Sequence, residues 1–323
     1  MPEPVLVVDD LHVSFRGPDG PVPVVRGVSF EVHEGGSLAV VGESGSGKTV
    51  SMLAVLGLLP GATVRGSARY RGTELLGASQ ARLRAVRGAH LGMIFQDPMT
   101  SLNPVLTVGR QIAGVLRAHD RRLRSAAARA RAVELLDLVS IPQPDRRARA
   151  YPHELSGGMR QRVMIAMAVA NRPDVLIADE PTTALDVTVQ AQILDVVTRL
   201  RREQGIGLVL ITHDLGVVAG NADRVAIMYA GRVVEDGPMT ATFASPGHPY
   251  TRGLLASLPR LDRRRDPVPI GGAPPSPSSW PTGCPFHPRC PLAVDACREA
   301  EPDLVALGDA RVACSVVAAP SHR

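Results

Sequence analysis

Residues 37–49 read SLAVVGESGSGKT. A short apolar run enters a glycine-rich turn, and TVSMLAVLGLL follows with helical spacing as far as Pro60-Gly61. Glycines at 42, 45 and 47 let the backbone curl so that its N–H groups face inward as an anion nest. The next helix adds the positive end of its dipole. Lys48 is predicted to reach the β- and γ-phosphates of a nucleotide, and the Thr49 hydroxyl to bind Mg²⁺. Strand, GxxxxGK[ST] and helix in that order predict a phosphate-binding loop in an α/β protein. The ATP-contacting stretch is Gly42, Ser44, Gly45, Ser46, Gly47, Lys48, Thr49 and Val50. Lys48 is the only lysine in the chain; every other strong base is Arg. Arg is forked and bulky, whereas Lys is a compact charge that fits between phosphates.

The chain has 323 residues, enough for one large core with an appendage or for two modest domains. It is 45% hydrophobic but only 3% aromatic, which suits an Ala/Val/Leu-rich α/β protein. No apolar run approaches the roughly 20 residues that a membrane-spanning helix needs. The opening MPEPVLVVDDLHV lacks the basic and apolar regions of a signal peptide. A cytosolic chain is expected, with any membrane role arising through partners. The net charge of +5 is scattered apart from short Arg clusters at 121–124 and 263–265, which weakens a nucleic-acid reading.

Outward from the loop, residues 5–8, 11–15 and 28–32 alternate like strands. Residues 105–140 are helical in pattern and separate Gln96 from Leu155, predicting an inserted helical subdomain. Then MRQRVMIAMAVA leads to strand DVLIAD, and VTVQAQILDVVTRLRREQ leads to strand GLVLIT. Strands alternating with helices predict a mostly parallel sheet. Residues 266–281 are rich in Pro, Ser and Gly, a linker signal.

Two further stretches carry chemistry. The strand VLIAD delivers Asp179 to a sheet edge, where a carboxylate can hold the Mg²⁺ shell, and Glu180 follows, placed to polarise an attacking water. In LSGGMRQR, Ser156 opens a helix beside Gly157 and Gly158, which makes a second anion-binding helix N-terminus. A chain with a second phosphate-binding helix end has a use for it if two chains sandwich one ATP.

LSGGMRQR between the phosphate loop and VLIADEPTTALD resembles the nucleotide-binding subunits of ABC transporters, over about residues 5–260. The resemblance implies a P-loop NTPase with an ABC-type, RecA-like core, an antiparallel β-subdomain and an inserted helical subdomain. It implies that Phe15 stacks on adenine, although a core aromatic is the plain alternative. Gln96 in MIFQDP corresponds to the glutamine that touches Mg²⁺ and the attacking water. Asp186 in TTALD corresponds to an aspartate at the dimer interface, and His213 in LVLITHD to a switch histidine near the γ-phosphate. Gly36 departs from the Glu common in that family, at a structural position. ATP is then expected to join two subunits head to tail, with Ser156 and Gly158 of one closing over the γ-phosphate held by the other. Glu180, His213, Gln96 and Lys48 form the implied catalytic set, and Thr49, Gln96 and Asp179 the Mg²⁺ set.

QDPMTSLNP and GHPYTRGLLASLP resemble the ATPases of oligopeptide, dipeptide and nickel importers. Without that resemblance, a helix bounded by Pro249 and Pro259 reads as packing. The implied domains are 1–240, a nucleotide-binding domain with its helical part at about 97–158, and 241–323, an extension. All four cysteines, Cys284, Cys290, Cys297 and Cys314, lie in that extension. Two disulfides do not suit a cytosolic ATPase. A Cys₄ zinc site is a reasonable reading although the usual Cys-x₂-Cys knuckles are absent, and a [4Fe–4S] cluster, which needs four thiolates and tolerates irregular spacing, is the other. The CPFHPRCPLA tail resembles importer ATPases associated with such a cluster; His287 is expected to flank it.

The function implied is that of an ATP-hydrolysing subunit of a membrane ABC importer for di- or oligopeptides, bound to the cytoplasmic face of the membrane. Its implied partners are two permease subunits, a second ATPase (a sibling chain in a heterodimer) and an extracytoplasmic substrate-binding protein. Metal-chelate import and a soluble nucleic-acid-associated ABC ATPase are the alternatives. The second usually carries coiled-coil or zinc insertions or two cassettes, none of which is in this sequence.

Overall fold

The computed structural model describes residues 3–183, 185–258 and 268–318. The 263–265 Arg cluster, Pro259 and the first two linker residues, Asp266 and Pro267, lie outside them, as does Ala184 of TTALD. The strands described are β1 (Leu6–Gly17), β2 (Gly20–Val32), β3 (Ser37–Val41), β4 (Thr63–Tyr70), β5 (Thr73–Glu74), β6 (Leu91–Ile94), β7 (Val175–Asp179), β8 (Gly207–Thr212), β9 (Arg224–Tyr229), β10 (Arg232–Pro238), β11 (Val305–Leu307) and β12 (Ala310–Val312). The chain divides into two compact units. One comprises the residues up to Val5, Val32–Gly36 and Ala78–Val209; the other comprises Leu6–Glu31, Ser37–Gly77 and the chain from Leu210 onward.

In the first unit, β6 and β7 pair in parallel, with Leu91 opposite Val175 and Ile94 opposite Ala178. Every residue of β7 is buried, as expected of an apolar run inside a parallel sheet. Helix Val108–His119 buries Val108, Ile112 and Leu116, and helix Ser125–Leu138 buries Ala128, Ala132, Leu135 and Leu136. These are the i, i+4 and i+3 positions of one face, so each helix is fixed by a single apolar stripe. Residues 105–140 are thus two helices, parted at 120–124 where Asp120 Oδ1 accepts from Arg122 N. Helices Gly157–Ala168 and Val187–Gln204 lie in the same unit.

In the second unit, an antiparallel sheet has the order β2-β1-β4-β5, and a further run of strands has the order β11-β12-β10-β9-β3. β3 pairs in parallel with β9 and is buried at every residue. The hairpin strands are longer than the alternation predicts. The segments at 5–8 and 11–15 are one strand, β1, with a bulge between Asp9 and His12, where Asp10 takes φ 46°. Gly66 on β4 accommodates that bulge: a Cβ there would stand 2.3 Å from the Asp10 carbonyl oxygen. β2 begins at Gly20 rather than near residue 28, and its Pro21 and Pro23 sit on the edge strand, where a missing N–H costs no ladder bond.

The helix after the phosphate loop is Lys48–Val55, shorter than its apolar run. Gly57 takes φ 60°, its N–H donates to Ala54 O (2.9 Å), and Leu58 N–H donates to Leu53 O (2.8 Å). That paired C-terminal motif ends the helix before Pro60 can. The Pro/Ser/Gly stretch from 268 is irregular but pinned within its unit rather than a free linker. Trp280 Nε1 donates to Pro23 O (3.0 Å), and the Arg26 guanidinium lies 5.1 Å from the indole centre.

Candidate active site

The phosphate loop belongs to the second unit and is shaped by contacts that only small residues permit. A Cβ on Gly42 would stand 2.2 Å from Met228 O, so the loop leaves β3 flush against β9. Gly45 and Gly47 hold φ of 80° and 97°, the left-handed conformations that turn successive N–H groups inward. Lys48 is 5% exposed, and its Nζ donates to Gly42 O (2.7 Å) and Glu43 O (3.0 Å), so the ammonium lies across the mouth of the loop. Ser46 is buried, its Oγ has no hydrogen-bond partner, and its N–H donates to Glu43 O (3.2 Å). Thr49 and Val50 are half-buried in the first turn, and Ser44 is exposed. Phe15 is half-buried on β1. His213 is exposed just after β8, followed by Asp214, whose Oδ1 accepts from Gly216 N (2.7 Å).

The first unit holds the acidic half of the predicted set. Asp179 ends β7 and is 2% exposed. Glu180 turns the chain out of the strand with φ 44°, an uncommon conformation for a side chain without local compensation. One oxygen of its carboxylate accepts twice: Gln96 Nε2 donates to Oε2 over 2.8 Å, and Thr183 Oγ1 donates to the same oxygen over 2.9 Å. The sequence pairs Gln96 with Glu180 only through resemblance; Thr183 is an addition. Ser156 caps helix Gly157–Ala168, its Oγ accepting from Met159 N at 3.4 Å, with Gly157 exposed and Gly158 half-buried at the helix start. A Cβ on Gly158 would meet Val189 Cγ1 at 2.6 Å, so that glycine also serves packing. Asp186 is exposed and caps the next helix, accepting from Val189 N (3.0 Å).

The four cysteines come together in the second unit. All four line one small cavity and are free thiols, so neither disulfide is formed. Cys284 N donates to Cys297 O over 2.8 Å, which ties together two of the segments that carry them. Burial pushes the Cys284 thiol up to about 11, reinforced by the other three cysteines, and burial also raises Cys290. His287 flanks the group, with Nδ1 at 2.9 Å from Cys284 O. Among the described residues, no group of three or more His, Cys, Asp or Glu is arranged to hold a metal ion.

Sequence reasoning missed what lies behind the loop. Tyr250, in the stretch read as packing, is fully buried, and its hydroxyl accepts from Glu43 N at 2.9 Å. Arg289 forms a two-pronged ion pair with the Glu43 carboxylate, at 2.6 and 2.9 Å.

Among the described residues no helix is long and apolar enough to cross a membrane. Residues 25–183 match the family model for the ABC transporter, and residues 234–297 match that for the oligopeptide/dipeptide transporter C-terminal region. The chain is 57% identical over 315 residues to the oligopeptide transport ATP-binding protein OppD of Mycobacterium tuberculosis, covering 96% of this chain and 52% of that one. It thus spans about half the length of that relative. It is 50% identical to the dipeptide transport ATP-binding protein DppD of Bacillus subtilis, covering 93% of this chain and 90% of that one. Among solved structures, the dimeric bacterial ABC transporter cassette MJ0796 superposes with a TM-score of 0.65 at 28% identity, over 72% of this chain and 98% of that one. The same cassette is solved in a post-hydrolysis state bound to ADP and Pi, with the same agreement. With half its residues identical across nearly the whole of a dipeptide transport ATP-binding protein, this chain belongs to the oligopeptide/dipeptide branch of the ABC transporter ATP-binding family.

Proposed function

We propose that the chain is the ATP-hydrolysing subunit of a membrane importer of di- or oligopeptides. The observation that carries this reading is the Gln96–Glu180 contact at 2.8 Å, an amide and a carboxylate poised as a water-orienting pair at the end of an apolar strand. Residues 1–240 are assigned to nucleotide binding, with the helical part at about 97–158, and 241–323 to an extension.

Each residue then has one role. Lys48 leaves its carbonyl partners for the β- and γ-phosphate oxygens, while the loop N–H groups replace the hydration of the phosphates. Phe15 stacks on adenine. Thr49, Asp179 and Gln96 supply hard oxygen donors of the kind Mg²⁺ prefers. Mg²⁺ held by these residues would offset the charge that develops on the phosphates. Glu180 orients water and takes a share of its proton, held in register by Gln96 and Thr183, and His213 donates to the γ-phosphate. Ser156, Gly157 and Gly158 of a second ATPase close over the γ-phosphate, with Asp186 at the joint. Catalysis is positioning plus electrostatics, with no covalent protein intermediate.

The second ATPase is a sibling chain, and two permease subunits hold both at the cytoplasmic face of the membrane, supplied by an extracytoplasmic binding protein. The helical region after Gln96 is the surface that meets the permeases. The tail cysteines are the ligands of a [4Fe–4S] cluster, with Zn²⁺ the alternative. Four thiols around one cavity fit the donor chemistry of both. The described side chains do not themselves form a closed ligand set. Absorbance near 400 nm after anaerobic purification supports the cluster, and a colourless, zinc-loaded protein contradicts it.

ATPase assays with candidate permeases and the sibling chain test the whole reading. Turnover stimulated by a peptide-loaded binding protein is expected; turnover indifferent to permeases and peptide overturns the transport assignment.

A further inference from the structure

Glu43 is the second residue of GESGSGKT, and every polar group it has is held. Its carbonyl accepts from Lys48 Nζ (3.0 Å) and Ser46 N (3.2 Å). Its N–H donates to the hydroxyl of Tyr250, a ring with no exposure that packs 4.6 Å from Tyr229 and 5.4 Å from Phe286. Its carboxylate receives Arg289 Nη1 on Oε2 (2.6 Å) and Nη2 on Oε1 (2.9 Å). The Arg289 side chain is 4% exposed, and its other contacts are spent locally: Nε donates to Gly271 O (2.9 Å), Nη1 also to Tyr229 Oη (3.3 Å), and the guanidinium lies 5.8 Å from the Tyr229 ring centre. Arg289 stands immediately before Cys290 in the tail, 246 residues from its partner.

We infer that Arg289 and Tyr250 are positioning residues for the phosphate loop. The extension thereby forms part of the nucleotide site, not an appendage to it. Two physical effects combine. A carboxylate in a phosphate loop repels a triphosphate, and a desolvated, bidentate guanidinium cancels that charge at a fixed geometry. The same pair, with the Tyr250 hydroxyl, fixes the Glu43 peptide, whose carbonyl sets where Lys48 and Ser46 begin. A shift of about 1 Å in such a peptide is enough to cost roughly a hundredfold in a positioned reaction. Because Arg289 sits beside Cys290, any change in the cysteine-lined cavity reaches the loop through one side chain.

This inference rests on the loop binding ATP, and the test separates the two. In the full-length chain, dissociation constants for a fluorescent ATP analogue are measured for Arg289→Gln, Glu43→Gln, the double variant and Lys48→Ala, alongside melting temperature. Arg289→Gln is expected to weaken binding about tenfold, through the exposed Glu43 charge, and to speed hydrogen exchange at the loop amides 44–47. The double variant is expected to recover most of that loss, which a purely structural role for Arg289 would not allow. Where Arg289→Gln fails to fold, Glu43→Gln alone carries the test through exchange that is faster at the loop amides 44–47 than in the rest of the fold. Native affinity in Arg289→Gln, a double variant as weak as that single one, or unchanged loop exchange in Glu43→Gln overturns the inference while Lys48→Ala still loses nucleotide. Native binding together with native phosphate release in Lys48→Ala overturns the ATP reading instead.

Discussion

Gln96 Nε2 donates to Glu180 Oε2 over 2.8 Å, and Thr183 Oγ1 reaches the same oxygen over 2.9 Å. One carboxylate oxygen is thereby committed to orientation. Glu180 also sits at φ 44°, so the backbone holds an unusual conformation to present that side chain.

Glu180→Gln keeps the size of the side chain and its contact with Gln96 but removes the base. Phosphate release should fall by about a hundredfold or more, while the dissociation constant for ATP stays within about twofold of native. Near-native turnover would remove Glu180 from its role.

Thr183→Val removes one of the two orienting bonds and leaves volume almost unchanged. A fall of about tenfold in kcat with little change in KM is expected, the pattern of an interaction used in the transition state. A rise in KM alone would place Thr183 in ground-state binding instead.

Part of this arrangement is legible in the sequence and part is not. β3 and β7 are visible because buried parallel strands are continuous apolar runs, β8 because it is an equally buried apolar run, and the loop because GxxxxGK[ST] needs its residues at fixed spacing. The β1–β2 hairpin is only partly visible: the alternation at 5–8 and 11–15 belongs to one strand interrupted by a bulge, and the strand that holds 28–32 starts already at Gly20, with Pro21 and Pro23 on the sheet edge. The anchoring of Glu43 is invisible because Arg289 is 246 residues away, and no spacing rule links an Arg in a cysteine-rich tail to a glycine loop. Tyr250 reads as packing, and it does pack; its hydroxyl contact becomes apparent only once the fold brings residue 43 to it.

His248 gives a pH signature to the extension. It is 1% exposed, its Nδ1 accepts from Tyr250 N (3.0 Å), and burial lowers its pKa to about 4 from an ordinary 6.5. Between those values the unfolded chain binds the proton that the folded chain refuses, so stability rises with pH across that window. Its contribution is complete above about pH 6.5 and is lost as pH falls towards 4, by roughly 3 kcal/mol in all. Denaturant melts of the native chain and of His248→Asn between pH 7 and 4 check this. The variant should lack that part of the slope, and identical slopes would contradict it.

Ser156 has a local duty and a proposed distant one. Ser156→Ala removes the helix cap and should cost about 1 kcal/mol of stability. If its hydroxyl also closes on the γ-phosphate of the second ATPase, turnover in the assembled complex should fall by about tenfold or more, beyond what that stability loss explains. Melting temperature and turnover measured on the same preparation separate the two.

Lys48→Ala tests the central claim most directly, because the only lysine in the chain is also the only side chain proposed to carry a positive charge to the β- and γ-phosphates. The measurement is ATP affinity and phosphate release for Lys48→Ala beside the native chain, with melting temperature as the control for folding. A folded variant that has lost nucleotide binding or turnover is the predicted result. A folded variant that binds and hydrolyses ATP as the native chain does would contradict the account.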